Sequence, residues 1–238
     1  MGRKDFGFDL PEGRTLGSNY HIVEFLGGGW EGEVYKVRER HTGIIRAAKI
    51  FYPYHISRKP LLKYARKLYK LRTCPILIQY HHRGEAKISG QRVEFLVSDL
   101  AEGELLSTFI RRQRGRKLTQ FQGMHLLYAL ARGIEQIHFL GQYHGDIHSD
   151  NIMVKRKGLG FNVRLIDLFD LGRSTRERIQ QDVFDLLTVF YEMIGGAEGY
   201  KRADDNVRRL ILGRKHSLIR QHFNTAGDIR LALENLEW

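Results

Sequence analysis

The chain has 238 residues, 42% of them hydrophobic and 11% aromatic, which is enough to bury a core and too apolar for a disordered chain. Its 39 Lys and Arg against 27 Asp and Glu give a net charge of +12, which attracts phosphorylated ligands, anionic surfaces or nucleic acid without choosing among them. The single cysteine, Cys74, excludes an internal disulfide framework, and no stretch reaches the roughly 18 apolar residues of a membrane span or forms the apolar core of a signal peptide, so a cytoplasmic protein is expected.

Residues 1–15 are expected to form a flexible arm. From Tyr20 to about Leu100, short β-type runs alternate with turns: Tyr20–Leu26, Glu33–Arg40, Gly43–Phe51, Gln79–Ala86 and Arg92–Val97. One helix over about Ser57–Leu71 interrupts them, with Leu61, Leu62, Ala65, Leu68 and Leu71 recurring at helical spacing. From Glu104 onward the periodicity is mostly helical, with apolar faces in 104–113, 119–140, 181–194 and 204–236. Between the long helices, Ile152–Val154 and Val163–Ile166 flank a Gly-containing turn and predict a hairpin. With no repeat, no low-complexity tract and only four prolines, nothing marks a long linker. The pattern predicts an α+β fold, one domain over 1–238 with a β-rich lobe at about 16–100 and an α-rich lobe at 101–238.

Residues 27–34, Gly-Gly-Gly-Trp-Glu-Gly-Glu-Val, fit G-x-G-x-x-G-x-V between two β-type runs. Glycines suit a backbone that must approach phosphates without Cβ clashes and turn sharply between strands, so Gly27, Gly28, Gly29 and Gly32, with Val34, are candidate nucleotide contacts. A dinucleotide-binding loop would need a helix next, and the following EVYKVRE is strand-like. Fifteen residues after Val34, Lys49 lies in Arg46-Ala47-Ala48-Lys49, placed to neutralise phosphates, with small Ala47 leaving room for a base.

Residues 16–51, LGSNYHIVEFLGGGWEGEVYKVRERHTGIIRAAKIF, resemble the opening of a bacterial Ser/Thr protein kinase. The resemblance covers most of the chain and implies ATP and magnesium as cofactors, with a hydroxyl acceptor. Residues 144–151, His-Gly-Asp-Ile-His-Ser-Asp-Asn, resemble the catalytic loop H-R-D-L-x-x-x-N, implying that Asp146 accepts the substrate hydroxyl proton and Asn151 binds metal. Val97 to Gly103 resemble the hinge whose backbone, near Asp99 and Ala101, pairs with adenine. Asp182-Val183-Phe184-Asp185 resembles the opening of a buried helix under the catalytic loop, and 226–233 the last helix of such a domain. The second metal ligand is Asp167 or Asp170. Strand parity favours Asp167, which shares a face with Val163 and Leu165, and Asp170 stands in a D-L-G as the alternative.

Three departures from the family pattern shape the expectation. Residues 55–84 contain no acid, and Tyr64 falls where the helix Glu that pairs with Lys49 belongs, so Glu85 or an acid of the glycine loop must take over, or phosphates alone hold the Lys. Gly145 replaces the Arg that reads a phosphorylated activation loop, and only fourteen residues separate Asp167 from Asp182. With His148 the loop has the form H-G-D-x-H-x-x-N, which resembles that of aminoglycoside and choline phosphotransferases and of the atypical kinases and bacterial sugar-lipid kinases that share their compact design; His148 either contacts the γ-phosphate or hydrogen-bonds within the loop. The expected activity is phosphotransfer to a protein Ser/Thr, with a small-molecule acceptor and a nucleotide-binding pseudokinase as alternatives. Nucleic acid as a partner rests on charge alone, and no oligomeric state can be read from the residues.

Overall fold

The computed structural model describes residues 7–55, 58–158, 160–168 and 172–236. Two compact units emerge, one from residues up to 72 together with 78–101, the other from 73–77 together with 102 onward.

The first unit is built on a six-stranded antiparallel sheet: β1 (Thr15–Leu16), β2 (Tyr20–Gly28), β3 (Gly32–Glu39), β4 (Ile45–Phe51), β5 (Tyr80–Ile88) and β6 (Gln91–Asp99), in the order β1-β2-β3-β4-β6-β5. Period-two alternation sends Tyr35 and Val37 of β3 and Ala48 and Ile50 of β4 into the core. Val34, Ala47 and Lys49 therefore share the opposite face, with Val34 directly across from Lys49 and Lys36 across from Ala47. Helix α1 (Arg58–Lys70) buries Leu61, Tyr64 and Leu68, while Leu62 is exposed. The aromatic ring of Tyr64, one turn after Leu61, takes the place that leucine counting gives to Leu62.

Residues 7–15 are not a free arm. Leu10 is buried in the sheet core and Thr15–Leu16 pair with β2. The anchor is Glu33, buried on the core face of β3, whose carboxylate accepts from the Phe8 backbone N–H (3.0 Å), the Tyr35 hydroxyl (2.5 Å) and the Tyr52 hydroxyl (3.0 Å). The Leu10 N–H in turn donates to the Tyr35 hydroxyl at 3.2 Å. A buried carboxylate is tolerated when its lone pairs are filled, and here the N-terminal segment supplies one of the donors. Burial and the Glu33 carboxylate hold the Tyr52 phenol up at about 12.

In the second unit, the long helix α3 (Gln120–Phe139) begins in a capping box between Thr119 and Gln122. The predicted 104–113 helix opens with a two-residue strand, β7 (Glu104–Leu105), before α2 (Leu106–Arg111). β7 pairs with β8 (Ile152–Lys157), which forms the predicted hairpin with β9 (Gly160–Leu165), Val154 opposite Val163. Residues 73–77 belong to this unit because the Leu165 N–H donates to the Ile76 carbonyl at 2.7 Å, and because Ile76 packs where Gly133 of α3 lacks a side chain. Helix α4 (Arg176–Met193) starts before the expected 181, at a Thr175 cap whose hydroxyl accepts from the Arg178 N–H.

After α5 (Gly196–Lys201), the stretch read as helical over 204–236 divides into α6 (Asp205–Ile211), α7 (His216–His222) and α8 (Ala226–Glu234). The breaks fall where Leu212 and Gly213 adopt positive φ and where Phe223 is extended. Among the described residues, no helix is long and apolar enough to cross a membrane.

Candidate functional site

In the first unit the glycine turn links β2 to β3 and is closed by a hydrogen bond from the Gly29 N–H to the Gly32 carbonyl at 2.9 Å. Its glycines serve different ends. A Cβ at Gly32 would lie 2.0 Å from the Ile50 carbonyl oxygen, whereas at Gly27 or Gly29 it would meet nothing within 4 Å. Gly32 lets two strands approach; Gly27 and Gly29 keep backbone open on the outer side. Gly32→Ala is therefore expected to lower unfolding stability by about 1–3 kcal/mol, and Gly29→Ala by less than about 0.5 kcal/mol, as read from denaturant midpoints.

Lys49 of β4 points its ammonium at Glu31 of the glycine turn, Nζ to Oε2 2.6 Å, with the Phe51 ring 5.5 Å from Nζ. Of the acids offered by the sequence, Glu85 and those of the glycine loop, Glu31 of the loop meets the lysine, while Glu85 is engaged by Arg83 (3.1 Å) and Arg92 (2.8 Å). At the end of β6, the Asp99 N–H donates to the Gln79 carbonyl at 2.9 Å, so it is not a free hinge donor. The Asp99 carboxylate accepts from Arg46 and faces the His81 ring nitrogen, both at 2.6 Å. Ala101 closes this unit.

The second unit carries the His144–Asn151 loop. Asp182 of α4 is fully buried and accepts from the His144 N–H (2.7 Å), the Gly145 N–H (2.8 Å) and His138 Nε2 (3.0 Å). His138 is oriented for this by its other nitrogen, Nδ1, which accepts from the Ala226 N–H at 3.4 Å. Within the loop, Asn151 Nδ2 donates to the Asp146 carbonyl (3.0 Å) and to Asp146 Oδ2 (2.9 Å), which leaves the Asn151 amide oxygen pointing away from that carboxylate. The Ile166 N–H donates to the Asn151 carbonyl at 3.0 Å, setting Asp167 next in the chain. Asp167 has φ 62°, a left-handed conformation that non-glycine residues seldom adopt and that clusters at functional sites. Asp170 lies outside the described residues. His148 accepts from the Asp150 N–H at Nδ1 (3.3 Å) and turns Nε2 toward Asp146 Oδ2 at 3.5 Å, which fits hydrogen bonding within the loop.

Residues 20–205 match the protein kinase domain family. The chain belongs to the protein kinase domain family. Similar curated proteins include smooth-muscle myosin light chain kinase of Gallus gallus, 31% identical over 154 residues, 65% of this chain and 8% of that protein. Cyclin-dependent kinase B2-1 of Oryza sativa subsp. japonica is 28% identical over 200 residues, 78% of this chain and 59% of that protein. The chain thus spans less than two thirds of either relative's length. Among solved structures, the PknI kinase domain of Mycobacterium tuberculosis superposes with a TM-score of 0.68 at 17% identity, over 94% of this chain and 98% of that one, which establishes the fold.

Two features of this chain lie beyond the motifs. Only residues 168–175 separate Asp167 from the start of α4. The second is Asp185, one turn along α4 from Asp182. Burial pushes its carboxyl up from the ordinary 3.8 to about 6; a hydrogen bond from Gln181 opposes the rise, and the charges of Asp182 and Asp146 add to it. No sequence signal marks it, since Asp at the fourth position of a helix motif reads as a solvated polar residue. Because the folded state holds this proton more tightly than the unfolded chain, the group's contribution is favourable at low pH and is lost as pH rises through about 6. Asp185→Asn is expected to stabilise the protein by about 1–2 kcal/mol at about pH 7.5 and to change little at about pH 4, measured by urea unfolding at the two pH values.

Proposed function

We propose that this kinase is an ATP- and magnesium-dependent phosphotransferase acting on a hydroxyl group, of compact design, with a protein Ser or Thr as its acceptor. The observation that carries this reading is the bonding of Asn151 to Asp146 by both carbonyl and carboxylate, with Asp167 following in a left-handed conformation. A decayed loop would have no reason to keep a proton acceptor, an amide oxygen and a strained carboxylate in this arrangement.

Asp146 would orient the hydroxyl and take its proton, while Lys49 and the backbone of Gly27, Gly28, Gly29 and Gly32 hold the phosphates. Val34 and Ala47, on the Lys49 face of the sheet, would pack on adenine. The Asp99 carbonyl and the backbone of Ala101 would bond its edge. The Asn151 amide oxygen and the Asp167 carboxylate are hard oxygen donors and fit magnesium, whose positive charge stabilises the phosphoryl group in transfer when bound. The short run of 168–175 supports a second reading, a small hydroxyl compound as acceptor, since it leaves little chain to bind a peptide. The buried, free Cys74 fits a cytoplasmic setting.

The test is incubation of the purified chain with γ-labelled ATP and magnesium, offering generic protein substrates, the chain itself and a panel of alcohols and sugars. Label on Ser or Thr that depends on Asp146 supports the protein acceptor, and label on a small alcohol alone supports the second reading. ATP binding with no transfer to any of them would sink the enzyme for those acceptors.

A further inference from the structure

We infer that Glu31 is the positioning residue for Lys49: a carboxylate on the glycine turn does the work of the acid that α1 lacks and holds the ammonium ready for nucleotide phosphates. The inference rests on the nucleotide role of Lys49 proposed above. The contact itself is 2.6 Å, and both side chains are largely shielded, 17% exposed for Lys49 and 23% for Glu31. The chemistry has no alternative source in the helix, since residues 55–84 hold neither Asp nor Glu.

Glu31 is braced rather than free. Its carbonyl accepts from the Tyr52 N–H at 2.9 Å, so the turn is tied to the chain leaving β4, the strand that carries Lys49. The neighbouring Trp30 ring lies 4.2 Å from the ring of His55, centroid to centroid, which adds a second tie to the same connection. The acid and the lysine are thus held by one three-strand element, and their pairing requires no movement of α1.

A lysine stem is flexible and its head is a compact charge with three donors. The 2.6 Å contact with Glu31 restricts where that head can point. The negative charge of Glu31 also opposes a triphosphate, so the pair improves alignment without adding nucleotide affinity. Its loss should then appear in kcat and not as weaker binding.

The experiment uses the full chain as wild type, Glu31→Gln and Glu31→Asp. Each protein is treated with an amine-acylating reagent, with and without saturating ATP and magnesium, and each lysine is quantified by mass spectrometry; kcat and the KM for ATP are measured alongside. Glu31→Gln is expected to raise Lys49 labelling severalfold with Lys36 unchanged, to weaken its protection by saturating ATP, and to lower kcat about tenfold or more at unchanged or lower KM. Glu31→Asp should recover part of each effect.

Unchanged Lys49 labelling overturns the inference whatever the activity. So does increased labelling with kcat intact, or a rise in KM that accounts for the whole loss. If the wild type transfers nothing while ATP still protects Lys49 less in Glu31→Gln, the positioning role stands and the phosphotransfer reading alone falls.

Discussion

Asp146→Asn is expected to lower phosphotransfer by about 10³-fold while leaving folding and ATP affinity nearly unchanged. The replacement keeps the shape of the side chain and can still present an amide oxygen to Asn151 Nδ2, the contact Asp146 Oδ2 now makes at 2.9 Å. It cannot accept a proton from a hydroxyl nucleophile. Asp146 is also exposed, 61% accessible in its side chain, so its replacement leaves no buried group unsatisfied. Single-turnover kinetics with labelled ATP, together with a urea midpoint and an ATP titration, check all three parts. Activity within tenfold of wild type would remove Asp146 from the chemistry.

The largest stability effect is expected at Asp182→Ala. Its carboxylate accepts from two backbone N–H groups of the loop and from His138, and none of its surface is exposed. Truncation strands all three donors in the interior of the second unit, where each unsatisfied group costs about 1–3 kcal/mol, so a loss of about 3–5 kcal/mol follows after partial relaxation. Against a total stability of about 5–15 kcal/mol for a typical domain, that places the variant at the edge of folding. Urea unfolding of the variant provides the measurement. A change below about 1 kcal/mol would mean that water reaches these donors. Phosphotransfer should fall with stability, because the same bonds set the backbone on which Asp146 stands.

Much of the candidate site could be read from the residues because each part is a short constellation on one loop or strand. Gly27 to Val34 and Lys49 stand out by residue type and spacing, Asp146 to Asn151 by resemblance to the family's catalytic loop, and strand parity favours Asp167 over Asp170. The sheet and the long helices were legible for a similar reason, since alternation and helical spacing are local signals. What could not be read depends on contacts between distant residues. Glu31 was one of several acids that might serve Lys49, and only the fold of the turn brings it to 2.6 Å. Glu33 looks like a solvent-facing strand residue until Phe8, Tyr35 and Tyr52 are seen to surround its carboxylate. Of the expected N-terminal arm, residues 1–6 lie outside the described residues, while 7–15 take their order from the partner strand and from that buried acid, neither of which is local. The divided C-terminal helices were missed because apolar spacing persists across Leu212 and Gly213 while the backbone turns.

The buried Glu33 also sets where this chain can be cut. Homology runs from residue 20 to 205, but a protein trimmed to that span would lose the Phe8 donor and Leu10, leaving a carboxylate sealed in the sheet with fewer bonds. At the other end it would lose Ala226, whose N–H orients His138, and Arg230, which grips Glu135 of α3 at 2.6 Å. The contacts that hold the fold therefore extend beyond residues 20–205 at both ends. Residues outside that span help to hold the motifs in place.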